Sequence, residues 1–279
     1  MALSRFLTAS VLMITLSSAC SRGPANQSAS KSEGNPSTSE AQTKPPVPTS
    51  EQPASKGPDQ DAVDALKNMS SFLSGLNSFD LVSTANLDAV TKTDQRIQLG
   101  GTAHYKVKKP GIRLDFDSDL KDRSYFYDGK QFTIYSPKLG FYASMAAPPT
   151  NREFIKMLYD KYGISLPLED LFRWNDADES DIKALTSGFL VGPSTVEGVP
   201  TDHWAFRQRQ YDWEVWIERG AQPLPRKLVI VDRTDPTHPT YSAELQWRLN
   251  PTFPASIFTF KPDSNAKQIH IAQFKGQAS

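Results

Sequence analysis

The chain has 279 residues with 31 basic and 31 acidic side chains, a balance that gives no electrostatic footprint for nucleic acid or for a strongly charged membrane face. It has a single cysteine, so no internal disulfide can form. Every aromatic residue except Phe6 lies beyond residue 60, which assigns the apolar core to the later part of the chain.

Met1 to Arg5 carries one positive charge, Phe6 to Leu16 is an apolar run, and Ser17-Ser18-Ala19 leads to Cys20. This is the three-part plan of a secretory signal peptide, and the run is shorter than the roughly 20 residues that span a bilayer. Residues 1–19 are therefore expected to be a signal peptide. Cys20 at the cleavage boundary resembles the lipobox of bacterial lipoproteins, in which the cysteine becomes the first mature residue and carries a diacylglycerol thioether. Ser17 stands where that pattern usually has Leu, and Ser17-x-Ala19 also fits a plain cleavage site. Each buried methylene contributes about 0.8 kcal/mol, so two acyl chains make a stable anchor where one does not. Cys20 is the expected lipidation site and the membrane an expected partner, on the periplasmic side of a bacterial envelope. Ser21, where an inner-membrane retention signal would place Asp, favours the outer membrane over the inner.

Residues 20–60 read as a linker: from Ser21 on it holds seven prolines, eight serines, no aromatic residue and Val47 as its one large aliphatic side chain. Such a segment cannot bury enough apolar surface to offset the entropy of ordering it. As a flexible tether it reaches about 35 Å, more where prolines stiffen it.

Residues 61–279 read as one folded domain. Asp61 to Leu76 is an expected helix, with Ala62, Leu66, Met69, Leu73 and Leu76 on one face. Strands follow. Phe79-Leu81-Ser83-Ala85-Leu87 alternates with Asp80-Val82-Thr84-Asn86, and Ile97-Leu99-Gly101-Ala103-Tyr105-Val107 with polar partners. Ile112-Leu114-Phe116 opposes Arg113-Asp115-Asp117, and Asp128-Gly129 between two aromatic runs predicts a hairpin. Lys138-Leu139-Gly140 marks another turn. Thr150-x-x-Glu153 after Pro148-Pro149 predicts a helix start and Gly163 its end, with Phe154, Ile155, Leu158, Tyr159 and Tyr162 on one face. Short helices are expected at 168–174 and near 178–185. Strands resume over 189–196, 201–209, 211–218, 226–232 and 240–249, and a last one over 257–260. Period-two alternation with one polar face implies antiparallel sheet, strongly curved or partly closed.

Several segments carry a family resemblance. YDGKQFTIYSPKLGFYA (127–143), YGISLPLEDLFRW (162–174), DHWAFR (202–207), DWEVWIERGAQPLPRKLVI (212–230) and FTFKPDSNAKQI (258–269) resemble predicted periplasmic proteins of unknown function with a LolA-like domain. The wider superfamily of lipoprotein carriers LolA and LolB shares W-I-x-x-G…P-x-K-L, at Trp216, and a late F-x-F-x-P, at Phe258. The resemblance implies a mainly β fold with helices: a strongly curved antiparallel half-barrel of about ten or eleven strands, its concave face covered by helices. It also implies a hollow that holds acyl chains, making a lipid or a lipoprotein the expected partner of a monomer.

No catalytic, metal or cofactor site is expected. Asp115-x-Asp117-x-Asp119 lacks the glycine and late glutamate of a calcium loop, and reads as a solvated strand face. His104, His203, His238 and His270 lack zinc-ligand spacing, and no nucleophile elbow, H-E-x-x-H or phosphate loop occurs. Trp204, Trp213, Trp216 and Trp247 lie on adjacent expected strands and read either as the lining of an apolar cavity or as ordinary sheet core. Phe154, Ile155 and Leu158 read as the underside of a lid formed by helices 151–162 and 168–174, or as core. The functional expectation is a non-catalytic envelope lipoprotein that binds a hydrophobic ligand. The alternative is a structural or sensory interaction module whose core is filled by its own side chains.

Overall fold

The computed structural model describes residues 57–172 and 182–271. The leader, Cys20, nearly all of the linker, residues 173–174 of the helix expected over 168–174 and residues 178–181 of the helix expected near 178–185 lie outside them.

Helix α1 (Gln60–Gly75) buries Ala62, Val63, Leu66, Met69, Ser70 and Leu73, the stripe that its spacing anticipates. Strands β2 (Ser78–Val90), β3 (Arg96–Lys108), β4 (Gly111–Ser118), β5 (Asp122–Tyr127), β6 (Gln131–Ser136) and β7 (Phe141–Ala146) form a meander. Helix α2 (Asn151–Tyr162) follows. The Thr150 hydroxyl accepts from the Glu153 backbone N–H at its start, and Gly163 closes it at φ 62°, a left-handed position suited to glycine. A 3₁₀ turn at Glu169–Phe172 replaces the helix expected over 168–174.

A second meander runs through β8 (Leu185–Val196), β9 (Val199–Gln208), β10 (Tyr211–Glu218), β11 (Pro225–Asp232) and β12 (Thr240–Leu249). The two meanders join where β12 pairs antiparallel with β2. Two-residue strands, β1 (Gly57–Pro58) and β13 (Lys267–Gln268), add in parallel to β8 and β7 at the two edges. The result is one mostly antiparallel sheet of 13 strands, ordered β1-β8-β9-β10-β11-β12-β2-β3-β4-β5-β6-β7-β13. Its end strands do not pair with each other, so the sheet is open. The expected ten or eleven strands undercount it, because two-residue edge pairings leave no period in the sequence.

The strand expected over 257–260 is instead a 3₁₀ turn, Ala255–Phe258, in which the Ile257 N–H bonds the Pro254 carbonyl. Packing overrides alternation here. Phe258 lies so close to Gly111 that a Cβ added there would come within 2.7 Å of its ring. Phe260 sits among Phe126, Tyr135 and Tyr142, with ring centroids 5.0–5.3 Å apart. The segment after β12 thus covers one face of β4–β7, the outer face. Both helices and the 164–171 segment pack on the other, inner face, where the core lies.

Candidate functional site

The register fixes which side chains share the inner face. One row runs Trp247, Leu81, Tyr105, Leu114, Tyr125 and Ile134 across β12 to β6. The next row toward the β3–β4 and β5–β6 turns holds Phe79, Val107, Ile112, Tyr127 and Phe132. Helix α2 seals this second row. Phe154 stacks on Tyr127 at 3.9 Å and 6°, and meets Phe132 at 5.1 Å. Phe154 and Leu158 are fully buried. The Tyr105 hydroxyl donates to the Pro167 carbonyl at 2.5 Å, which ties the 164–168 segment over β3.

In the opposite direction along the strands the inner face stays apolar but is not sealed. Ala85, Phe116, Tyr125, Ile134 and Tyr241 pack on the core yet are only half-buried. Leu87 and Leu99 pair across the same face and are half-buried too. Burial pushes the Tyr125 and Tyr241 hydroxyls up to about 12, against the opposing charge of Arg123 and a hydrogen bond to Ser83 respectively. Burial, aided by the Glu169 carboxylate, also holds Tyr105 well above its usual value. Tyr125 and Tyr241 thus combine a low-dielectric surrounding with some accessible surface, whereas Tyr105 is buried. The band can hold an apolar chain, with the Tyr125 and Tyr241 hydroxyls as sparse polar contacts.

A cleft of about 360 Å³ opens at the other strand ends, between α1 and β9–β10. Ala65, Trp204, Ile217 and Pro223 give it apolar walls, and the Arg219–Asp202 ion pair, at 2.6 Å, stands at its edge.

Away from the aromatic cluster around Phe260, the outer face is polar and paired. Asp80 accepts from His104 and Arg248, both at 2.6 Å, and so links β12, β2 and β3. Burial alone would raise the Asp80 carboxyl, but these two hydrogen bonds and charges outweigh it and hold the group below its ordinary value. Asp115, Asp117 and Asp119 have separate partners: Arg113 and Ser124, Lys138, and the Gly100 N–H. Among the described residues no three His, Cys, Asp or Glu side chains gather in a way that could hold a metal.

Of the four tryptophans on these strands, three share the inner face: Trp204 and Trp213 are buried there, and Trp247, farther along β12, is half-buried against Phe79. Trp216 does not join them. It is an odd number of residues from Trp213, so it lies on the outer face, stacked on His203 at 3.9 Å under the Lys227 ammonium. Ile155 is half-buried beside the core. Ala85, Phe116, Tyr125, Ile134 and Tyr241 were not singled out from the sequence, although all sit at inward parity. Their distinction is incomplete burial, which alternation does not encode.

A family model described as Predicted periplasmic protein (DUF2092) matches residues 62–272. The chain belongs to this family. It is the family that the 127–143, 162–174 and 202–230 motifs resemble, and its description agrees with a periplasmic location. No curated protein matches this DUF2092 member. Among solved structures it is similar to the lipoprotein LppX of Mycobacterium tuberculosis, at TM-score 0.44 and 9% identity over 70% of this chain and 98% of that one. It is also similar to MucB, at 0.41 and 14% over 74% of this chain and 65% of that one, so it spans just under two thirds of MucB. A LolA superfamily protein of Nitrosomonas europaea gives 0.33 and 9% over 71% and 97%. Likenesses this remote carry no function across.

Proposed function

We propose that this protein is a non-catalytic periplasmic binding module, tethered to a membrane by lipid on Cys20, that holds an apolar chain against the inner face of its sheet. In this reading the sheet is the wall of a half-barrel. The single observation that supports it most is the unsealed apolar band of Ala85, Phe116, Tyr125, Ile134 and Tyr241, which continues from a fully packed core into partly accessible surface. A self-filled core would seal such a band, because leaving it in water forfeits about 25 cal/mol per Å². An acyl chain laid along it recovers that energy, and the tyrosine hydroxyls orient its polar end. Helix α2 need not lift, since its own contacts lie on the sealed row. The test is native mass spectrometry of the protein purified from its host envelope. A retained lipid-sized mass that is lost on organic extraction is the expected result. A bare protein mass that also takes up no added fatty acid rejects the reading.

A further inference from the structure

Five of the eight exposed large apolar side chains among the described residues lie toward one rim; Tyr159, Leu190 and Val191 lie elsewhere. Leu120 and Leu139 are 53% and 63% exposed, and Ile97, Phe141 and Ile269 also stand exposed. Leu120 lies in the turn between β4 and β5, and Leu139 in the turn between β6 and β7. Phe141 opens β7, and Ile269 lies beside it, its N–H donating to the Tyr142 carbonyl. Ile97 pairs with Ala89 next to the β2–β3 turn. The register places all five at the same set of strand ends. That is the end toward which the half-buried Phe116, Leu87 and Leu99 lead. Leucine at the tip of a turn satisfies no packing need of this domain.

A second, independent observation concerns the tether. Strand β1 runs parallel to β8, with Gly57 opposite Ser187 and Pro58 opposite Gly188. Gly57, the first described residue, therefore sits near the start of β8 at Leu185. Leu185 pairs with Gln208, beside the β9–β10 turn, which belongs to the same rim as the turns that carry Leu120 and Leu139. Gly57, to which the linker from Cys20 is joined in sequence, thus lies toward the rim where the exposed apolar side chains stand.

We infer that this rim is a docking face for the surface of a phospholipid bilayer, with Leu120, Leu139 and Phe141 entering the headgroup region. The tether and the apolar contacts then act on the same side of the molecule, and the short leash raises the effective concentration of rim and membrane. Charges at the rim are mixed: Lys138 pairs with Asp117, and Lys92 and Lys121 stand near Asp94 and Asp119. Contact therefore rests on apolar insertion, and salt changes it little. The inference shares the lipid tether with the proposed function but does not need the hollow to hold a ligand.

The test is photolabelling of the protein purified from its host. It is mixed with phosphatidylethanolamine–phosphatidylglycerol vesicles containing a phospholipid with a photoactivatable acyl chain, and labelled peptides are read by mass spectrometry. The expected label falls on 118–123 and 137–142 and spares 188–192. That last stretch carries Leu190 and Val191, exposed apolar side chains on the β8 edge away from the rim, and serves as the internal control. The variant L120D/L139D keeps the wild-type unfolding curve, both positions being exposed, and loses about tenfold or more of the rim label, as expected from what one leucine gains on leaving water. Label spread equally over 188–192, an unlabelled rim on vesicle-bound protein, or rim residues protected by a second copy in solution would each overturn the inference. Lipid retained in the hollow is read separately from the intact mass, so either claim can fail while the other stands.

Discussion

The two ends of the inner face are built from the same kinds of residue and end in different states. Under α2, Tyr127, Phe132 and Phe154 form a stack with ring centroids at 3.9 and 5.1 Å, and nothing in it reaches solvent. Toward the opposite rim, Phe116, Tyr125, Ile134 and Tyr241 carry comparable apolar area but keep part of it exposed. The difference is the element that covers them. A helix whose apolar stripe contributes Phe154 and Leu158 closes the first end, and the second is left only partly covered. Composition sets how much apolar surface a face has, and the covering element decides whether that surface is core or site.

The largest expected effect breaks the sealed end. Phe154→Ala removes a fully buried ring that touches two others, and should cost about 3–5 kcal/mol in a denaturant unfolding experiment. Affinity of the folded fraction for a fluorescent fatty-acid probe should stay within about twofold, since the stack is remote from the open band. A probe affinity that collapses in step with stability would make the stack itself the site and restore α2 as a lid.

Asp80→Asn is next in size and tests the seam between the two meanders. It removes the charge that His104 and Arg248 share across β12, β2 and β3, and should cost about 1–3 kcal/mol at pH 7. The folded-state pKa of Asp80 is depressed, so this stability is present above its unfolded value near 3.8 and is lost as pH falls through the lower folded value. Wild type and variant should therefore converge in stability only in strong acid. A gap that persists unchanged there would assign the effect to packing.

Much of this was legible in the sequence. The α1 stripe, the start and stop of α2, the Asp128-Gly129 hairpin and the β12 alternation of Ala243 and Leu245 with Glu244 and Gln246 all follow from local periodicity. What local periodicity cannot carry is pairing between distant strands and the depth of cover. The β12–β2 junction, the parallel additions of β1 and β13, and the fold of Phe258 and Phe260 onto β4–β7 are long-range facts. Trp216 illustrates the limit from the other side. Its parity relative to Trp213 is readable, but a cluster of tryptophans on adjacent strands encodes composition and not which face each one takes.

A smaller effect sharpens the contrast through ionisation. Tyr125 and Tyr241 are raised to about 12 from an ordinary value near 10. A raised folded-state pKa contributes stability that is complete below pH 10 and is lost as pH climbs toward 12. Absorbance titration should show these two phenols ionising well after the exposed tyrosines, among the late group that includes Tyr105 and Tyr127. Bound fatty acid should delay them further, by covering the surface they keep. Ionisation near 10 with no response to ligand would mean that the open end is ordinary solvent-facing sheet.

The smallest effect on stability should carry the largest consequence for binding. Ala85 lies in the open band between Ala243 and Gly101 and is half-buried. Ala85→Trp places an indole over that band. Overpacking a sealed core costs about 1–3 kcal/mol, but a side chain that extends into an unsealed concavity has no neighbour to displace and should change stability by less than about 1 kcal/mol. It occupies the surface on which an acyl chain would lie, so fatty-acid probe affinity should fall by about tenfold or more, the loss of a few buried methylenes. The contrast with Phe154→Ala is then complete: one substitution removes stability and keeps binding, the other keeps stability and removes binding. If Ala85→Trp instead unfolds the protein, the band is packed in solution and the self-filled interaction module becomes the better reading. If it leaves both stability and probe binding intact, the chain is held in the cleft beside α1, and filling that cleft through Ala65→Leu should abolish binding instead.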